Sequence, residues 1–398
     1  MQPFFSVVIP TKNRPYYLRQ AIQSVLWQDF DDFELIVSDN YNNEETQQVI
    51  DEFSAHPNFK SFRTDQELNM LNHWEWATRK AEGKYVLVLT DRKLFFQHSL
   101  KKLNNIVRVN HEAFNLYSFG VRLFDEDRNR IGYSVPKRKS RVFTSKELIE
   151  NFLHENLYLP GSYDFFFPKT LNSCYRNEYA AKLRSQFGIY FNTPGVITPD
   201  FSSFFINMAL NEAIFYYAEY LVLTQGEKLS TGRLLSKGKY EPFLRSLHTN
   251  DPFELLPLKI PSSYNMVVND FLYIKELFGN RLSSLQLDWE NYFVTNYTDL
   301  LFKKFAGVED TFIHNFEEDF KNALTQLDPA LQRKITERTG QIELYIGQRK
   351  KRVWKKETLI LHAKDFFYER LKGDQRLTNL LRLTYANPLK AAGFRSNL

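Results

Sequence analysis

The chain opens on an aromatic and β-branched run, Phe4-Phe5-Ser6-Val7-Val8-Ile9, which Pro10 stops. The period then changes. After Asn13 and Pro15, a capping residue and a first-turn proline, Leu18, Ala21, Ile22 and Val25 fall at helical spacing. Phe33-Glu34-Leu35-Ile36-Val37 reads as a second strand ending at Ser38-Asp39-Asn40, and Thr46, Val49, Ile50 and Phe53 form the next helical stripe. Phe59–Arg63 is a short strand. Trp74, Ala77, Thr78 and Ala81 mark a helix face stopped by Gly83, and Tyr85-Val86-Leu87-Val88-Leu89 is an all-apolar strand ending at Thr90-Asp91. Strands alternating with helices predict a parallel sheet with crossovers. Ligands of such sheets bind beyond the carboxyl ends of the strands, so Thr11, Asp39 and Asp91 should converge on one crevice.

From about Leu116 the pattern is mixed. A hairpin is expected around Asp125-Glu126-Asp127, and Thr144-Ser145-Lys146-Glu147 fits a capping box that opens a helix. The loop Leu159-Pro160-Gly161-Ser162-Tyr163-Asp164 precedes a further strand and helix. Thr198-Pro199-Asp200 then opens a helix with Phe204, Phe205, Met208 and Ala209 inward. Beyond Lys239 strand signals fade, and Met266–Leu277, Trp289–Phe305, Phe316–Leu327 and Thr358–Leu371 read as helices. The expected fold class is therefore α/β, followed by a mostly helical domain after a boundary near residue 240.

Composition narrows this picture. A chain of 398 residues with 43% apolar and 25% charged residues excludes a disordered or fibrous protein. The 36 Phe, 22 Tyr and 5 Trp supply an aromatic interior. The single cysteine, Cys174, sits in an apolar strand context and suits a core position in a reducing compartment. Met1–Pro10 lacks a secretory pattern, and no run approaches the roughly 18 apolar residues of a membrane span. Net charge is only +5. Arg349-Lys350-Lys351-Arg352-Val353-Trp354-Lys355-Lys356 nevertheless packs six cations around a Trp, which fits an anionic leaflet or a solvated helix face. The eight histidines are scattered without ligand spacing. No Walker loop or dinucleotide glycine fingerprint is present, which argues against ATPase and dehydrogenase activities.

The run Phe5-Ser6-Val7-Val8-Ile9-Pro10-Thr11-Lys12-Asn13-Arg14, with Ser38-Asp39-Asn40 and Ala81-Glu82-Gly83-Lys84-Tyr85-Val86 in the same order, resembles family 2 glycosyltransferases over about residues 4 to 235. The resemblance implies a GT-A fold, a Rossmann-like mixed sheet with flanking helices. Residues 1–239 would form that domain, with 1–110 as nucleotide-binding half and 111–239 as acceptor half, and 240–398 would be the helical domain. It also implies inverting transfer of a sugar from a nucleotide sugar, usually a UDP-sugar, to a hydroxyl of a saccharide or lipid-linked saccharide in surface polysaccharide synthesis.

Matched residue by residue, the nucleotide site would comprise Pro10, Thr11, Asn13, Arg14, Asp39, Asn40, Asn72 and Asp91. Asp39 would accept a hydrogen bond from the base; its other reading is a cap of the following helix. The family's metal motif falls at Thr90-Asp91-Arg92-Lys93, where Arg92 replaces a carboxylate. Manganese or magnesium would then rest on Asp91 alone, a poor site for a hard divalent ion. Arg92 and Lys93 would instead neutralise the departing diphosphate, unless they face solvent in an inactive protein. Asp200 is the expected base, although an Asp there also suits a helix N-cap; Asp164 is the reserve. Trp74 and Tyr163 would stack on the acceptor sugar or serve packing. A nucleotide-sugar-binding scaffold without turnover and a nucleotidyltransferase are the alternatives. The expected setting is cytoplasmic, at the inner face of a membrane reached through residues 349–356, without nucleic acid, and with homo-oligomerisation as the competing use of the helical domain.

Overall fold

The computed structural model describes residues 2–41, 43–125, 130–131, 139–157, 167–225, 241–245, 252–279, 282–305, 308–345, 388–392 and 394. Tyr163, Asp164, the basic stretch 349–356 and the expected helix 358–371 lie outside the described residues.

Strands β1 (Phe5–Thr11), β2 (Phe33–Asp39), β3 (Phe59–Arg63) and β4 (Tyr85–Val88) form a parallel sheet in the order β3-β2-β1-β4. Every residue of β1 and β2 is buried, as expected of strands covered on both faces. Side chains alternate between two apolar clusters. Val8, Ile36, Val86 and Val88 join one, while Val7, Ile9, Leu35, Val37 and Leu87 join the other. Helices α1 (Pro15–Leu26), α2 (Glu44–Glu52) and α4 (Ser99–Val109) close the second face, and α3 (Met70–Thr78) lies on the first. The α1 stripe is the one read from the sequence, Leu18, Ala21, Ile22 and Val25.

Past β4 the sheet becomes mixed. Strand β9 (Ser173–Arg176) inserts antiparallel between β4 and β6 (Leu116–Asp125); β10 (Ala213–Thr224) runs parallel to β6, and β5 (Lys93–Phe95) closes the edge antiparallel to β10. The expected hairpin is present, with β7 (Arg130–Ile131) paired to the end of β6. Strand β8 (Arg141–Thr144) leads into α5 (Ser145–His154), whose Thr144 hydroxyl accepts from the Glu147 amide at 3.1 Å. Only half of the capping box forms, because the Glu147 carboxylate accepts instead from Arg141 at 2.7 Å. Cys174 is buried in β9, where burial pushes its thiol well up.

Helices α6 (Asn177–Phe187) and α7 (Pro199–Leu210) follow, then the short α8 (Glu241–Arg245) and α9 (Ser263–Phe278), α10 (Trp289–Phe305), α11 (Asp310–Thr325) and α12 (329–345). Side chains of α9, α10 and α11 join α5 and α7 in the first apolar cluster. The last described piece, α13 (Pro388–Ala391) with Ala392 and Phe394, returns to the opposite face, where Phe394 meets Trp27 edge-on at 5.9 Å. Among the described residues, no helix is long and apolar enough to cross a membrane.

Two local expectations are corrected. Helix α3 ends at Thr78 with Arg79 as its C-cap, so Ala81 and Gly83 lie beyond it. Gly83 serves a close approach instead. A Cβ there would fall 2.6 Å from the Ser6 amide nitrogen, while its own amide donates to the Ser6 hydroxyl at 2.7 Å. The buried Glu34 carboxylate completes this junction by accepting from the Glu82 amide at 2.7 Å and from Lys60 at 2.8 Å. Burial alone would raise its pKa, but Lys60, Ser6 and the amide outweigh that and hold it low. Gly83→Ala is expected to destabilise the protein by about 1–3 kcal/mol, the usual cost of forcing atoms into a packed contact, read from urea unfolding.

Candidate functional site

Level strand ends make a floor for the site. Thr11 pairs with Asp39 across β1 and β2, and Val8 pairs with Val88, so Asp91 emerges beside Thr11. The Thr11 hydroxyl donates to Asp91 Oδ2 at 3.1 Å, and Arg14 donates to Oδ1 at 3.2 Å. Above them opens a cavity of about 500 Å³. Pro10 and Thr11 line it from the end of β1, Arg14 from the N-cap of α1, and Thr90, Asp91 and Arg92 from the segment after β4. One wall comes from residues 67–70, His73 and Trp74; the other comes from Leu171, residues 198–201, Phe243, Ser263, Met266 and Val267. Lys12 and Glu67, both lining residues, form an exposed ion pair.

Of the expected residues, the cavity gathers Pro10, Thr11, Arg14, Asn40, Asp91, Arg92, Trp74 and Asp200. Asn13, Asp39, Asn72 and Lys93 do not line it, and the reasons are local. Asn13 has φ +52°, and its side-chain oxygen accepts from the Asn43 amide at 2.8 Å; Arg14 takes the N-cap position of α1. Asp39 is buried at the end of β2, with Arg63 at 3.6 Å. It does not cap α2 either, since Asn43 does, accepting from the Thr46 amide at 3.1 Å. Asn72 accepts from Asn192. The buried Lys93 ammonium donates to the Thr224 hydroxyl at 3.1 Å. Asn40 borders the cavity, but its amide is bound on both sides, donating to Leu68 O and accepting from Leu68 N at 2.8 Å each. It therefore shapes the 67–70 wall.

Electrostatics divide the cavity. Burial raises the Asp91 pKa, while Arg14 and Arg92 oppose that shift. On the opposite wall Asp200, in the first turn of α7, is also raised by burial, against Lys169, nearby backbone amides and Lys93. Thr198, not Asp200, is the N-cap residue, so the carboxyl is not tied up as a cap acceptor there. Burial pulls Lys93 down to about 7, with Arg92 and Lys169 adding to the effect. Sequence reasoning missed Lys169, because only tertiary packing brings it to Asp200. It also missed His73, whose Nε2 lies 2.7 Å from the Ser38 hydroxyl. Burial pulls that imidazole down to about 4, so it is neutral near pH 7. A lone histidine on a helix face carries no pattern that could have singled it out.

The loop before α7 is held from α3. The Glu75 carboxylate accepts from the Tyr190 and Phe191 amides at 2.7 and 2.8 Å and from Arg184 at 2.8 Å. Trp74 meets Phe191 edge-on at 5.9 Å, so it packs this loop as well as lining the cavity.

A divalent ion would have to sit at Asp91. Both of its oxygens already accept from Thr11 and Arg14, and Arg92 adds a positive charge beside it. No group of three or more His, Cys, Asp or Glu able to hold a metal occurs among the described residues. This donor set does not fit a hard divalent cation, which requires several oxygen ligands.

Strand ends that open onto a cavity, closed by a helix carrying a carboxylate at its start, define a GT-A type of domain. Residues 6–167 match the family described as Glycosyl transferase family 2. Among similar proteins, Protein CgeD of Bacillus subtilis is 28% identical over 123 residues, 28% of this chain and 28% of that protein. The GalNAc(5)-diNAcBac-PP-undecaprenol beta-1,3-glucosyltransferase of Campylobacter jejuni is 32% identical over 98 residues, 22% of this chain and 29% of that protein. The chain thus spans less than a third of the length of either relative. The crystal structure of S. aureus TarS 1-349 in complex with UDP-GlcNAc is 17% identical, with 81% of this chain and 89% of that one covered and a TM-score of 0.46.

Proposed function

We propose that the chain transfers a sugar from a UDP-sugar to a hydroxyl of a saccharide or lipid-linked saccharide, with inversion, in the synthesis of a surface polysaccharide. One observation carries the reading: a single cavity joins the strand-end residues Thr11, Arg14, Asp91 and Arg92 to Asp200 on the facing wall. Inversion is one displacement, in which the acceptor oxygen attacks the anomeric carbon opposite the departing diphosphate. A base on the acceptor face takes its proton, and Asp200 occupies that wall. A pKa raised above the ordinary Asp value moves it toward the working pH of such a base. Arg14 and Arg92 supply fixed positive charge where the diphosphate gains negative charge, a task left to them by a donor set unsuited to a metal. Trp74, Phe201 and Met266 offer apolar surface for a sugar ring.

A thermal-shift screen of UDP, GDP, dTDP, CMP and their sugars tests the donor, because a ligand that binds the folded state raises Tm. Stabilisation by UDP-sugars is expected. Stabilisation by none of them would refute the donor assignment. Turnover is expected to survive EDTA; complete loss that manganese restores would show that Asp91 and the diphosphate together hold a metal. The Asp91-Arg92-Lys93 departure also supports a second reading, a binding scaffold without turnover. UDP-sugar hydrolysis separates the two, since a scaffold leaves its donor intact.

A further inference from the structure

One buried carboxylate ties the helices beyond residue 240 to the start of α7. Asp270 lies inside α9, fully buried, where burial pushes its pKa up to about 7 and a polar group requires partners. It finds them in the chain entering α7. Oδ1 accepts from the Ile197 amide at 2.6 Å, and Oδ2 accepts from the Thr198 amide at 2.8 Å and from the Thr198 hydroxyl. Just before it, Asn269 donates to Gly195 O at 2.9 Å. Gly195 has φ +80°, and a Cβ there would fall 2.3 Å from the Tyr273 ring, so this turn lies tight against α9. The Thr198 side chain therefore bonds to a different helix rather than capping its own. Pro199 begins α7 immediately afterwards, and Asp200 is the next residue. One to two turns earlier on α9, Ser263, Met266 and Val267 line the cavity.

We propose that Asp270 is a positioning residue, which fixes the start of α7 from the helical region and so places the Asp200 carboxyl at the acceptor wall. The inference rests on the reading of Asp200 as the base. Three donors on one carboxylate, at the two residues just before Pro199, leave the first turn of α7 little freedom. Neither amide nitrogen can accept a bond in exchange. Placement to within about 1 Å matters for such a group, because a shift of that size can cost on the order of 10²-fold in rate.

The test compares Asp270→Asn, Thr198→Val and Asp200→Asn with the parent chain, using UDP-glucose, UDP-galactose and UDP-N-acetylglucosamine as donors and water as acceptor. In Asp270→Asn an NH₂ group faces a backbone donor, so the clamp opens on one side. The expected result is a kcat lowered by about 10- to 100-fold, with donor KM and UDP affinity unchanged and faster hydrogen exchange confined to the amides of 195–201. A folded Asp270→Asn with parental kcat overturns the inference, whatever its exchange. Should Asp270→Asn fail to fold, Thr198→Val decides: it keeps Asp270 and both amide bonds and loses one hydroxyl, and parental kcat in it overturns the inference. Full activity in Asp200→Asn, or no hydrolysis by the parent chain, removes the reading of Asp200 itself and the inference with it. Normal Asp270→Asn beside a crippled Asp200→Asn removes the inference alone.

Discussion

Asp200→Asn is expected to lower turnover by about 10²- to 10⁴-fold, the usual contribution of a positioned general base, while UDP affinity stays unchanged. The amide keeps the size of the side chain but cannot take a proton from the acceptor hydroxyl. Because burial raises the Asp200 pKa, the acid limb of the kcat/KM profile should lie above the ordinary Asp value of 3.8. Activity then rises with pH as the carboxylate forms. Steady-state kinetics of the parent and the variant across pH, with calorimetry for UDP, check both parts. Parental turnover in Asp200→Asn would move the base elsewhere.

Glu75→Ala is expected to destabilise the fold by about 3–5 kcal/mol, because it leaves the buried Arg184 guanidinium without its carboxylate and orphans two backbone amides. Urea unfolding measures the loss. Burial alone would raise the Glu75 pKa, but Arg184 and the two amides outweigh it, so the folded value lies below the ordinary 4.5. The sign follows from linkage: this stabilisation is complete above the unfolded pKa near 4.5 and disappears as pH falls through the folded value. The parent chain should therefore lose stability in acid more steeply than Glu75→Ala. Equal acid sensitivity of the two proteins would contradict the pairing. Turnover should fall too, since residues 190–191 belong to the loop that leads into α7.

The parts of this protein that were legible in the sequence are those set by local pattern. Strands β1, β2 and β4 are buried throughout and carry runs of apolar residues because both of their faces are covered, and the α1 stripe is visible because 3.6-residue spacing selects one face. The Thr144 cap was readable for the same reason. Pairings that span long stretches of chain were not. Nothing near Ser173–Arg176 says that this strand lies antiparallel between β4 and β6. At the site, Thr11, Asp91 and Asp200 follow from their positions at element ends. That Asp39 lies buried off the cavity was not readable, because only the pairing of its strand with β1 and β3 encloses it. The backbone bonds of Asn13 and Asn40 were not readable either, because an asparagine amide can serve backbone as readily as ligand. Asp270 was invisible, since its partners lie more than 70 residues away.

The cavity draws its two sides from distant stretches of chain, strand ends before residue 100 and α9 after residue 260. Such a layout lets selection act on them separately. Exchanges at Ser263, Met266 and Val267 reshape one wall while leaving the bonds among Thr11, Arg14 and Asp91 intact, and exchanges on the floor leave α9 untouched. On the proposed reading, a lineage built this way can diversify its acceptor while keeping its donor, and the helical segment becomes the natural place to graft.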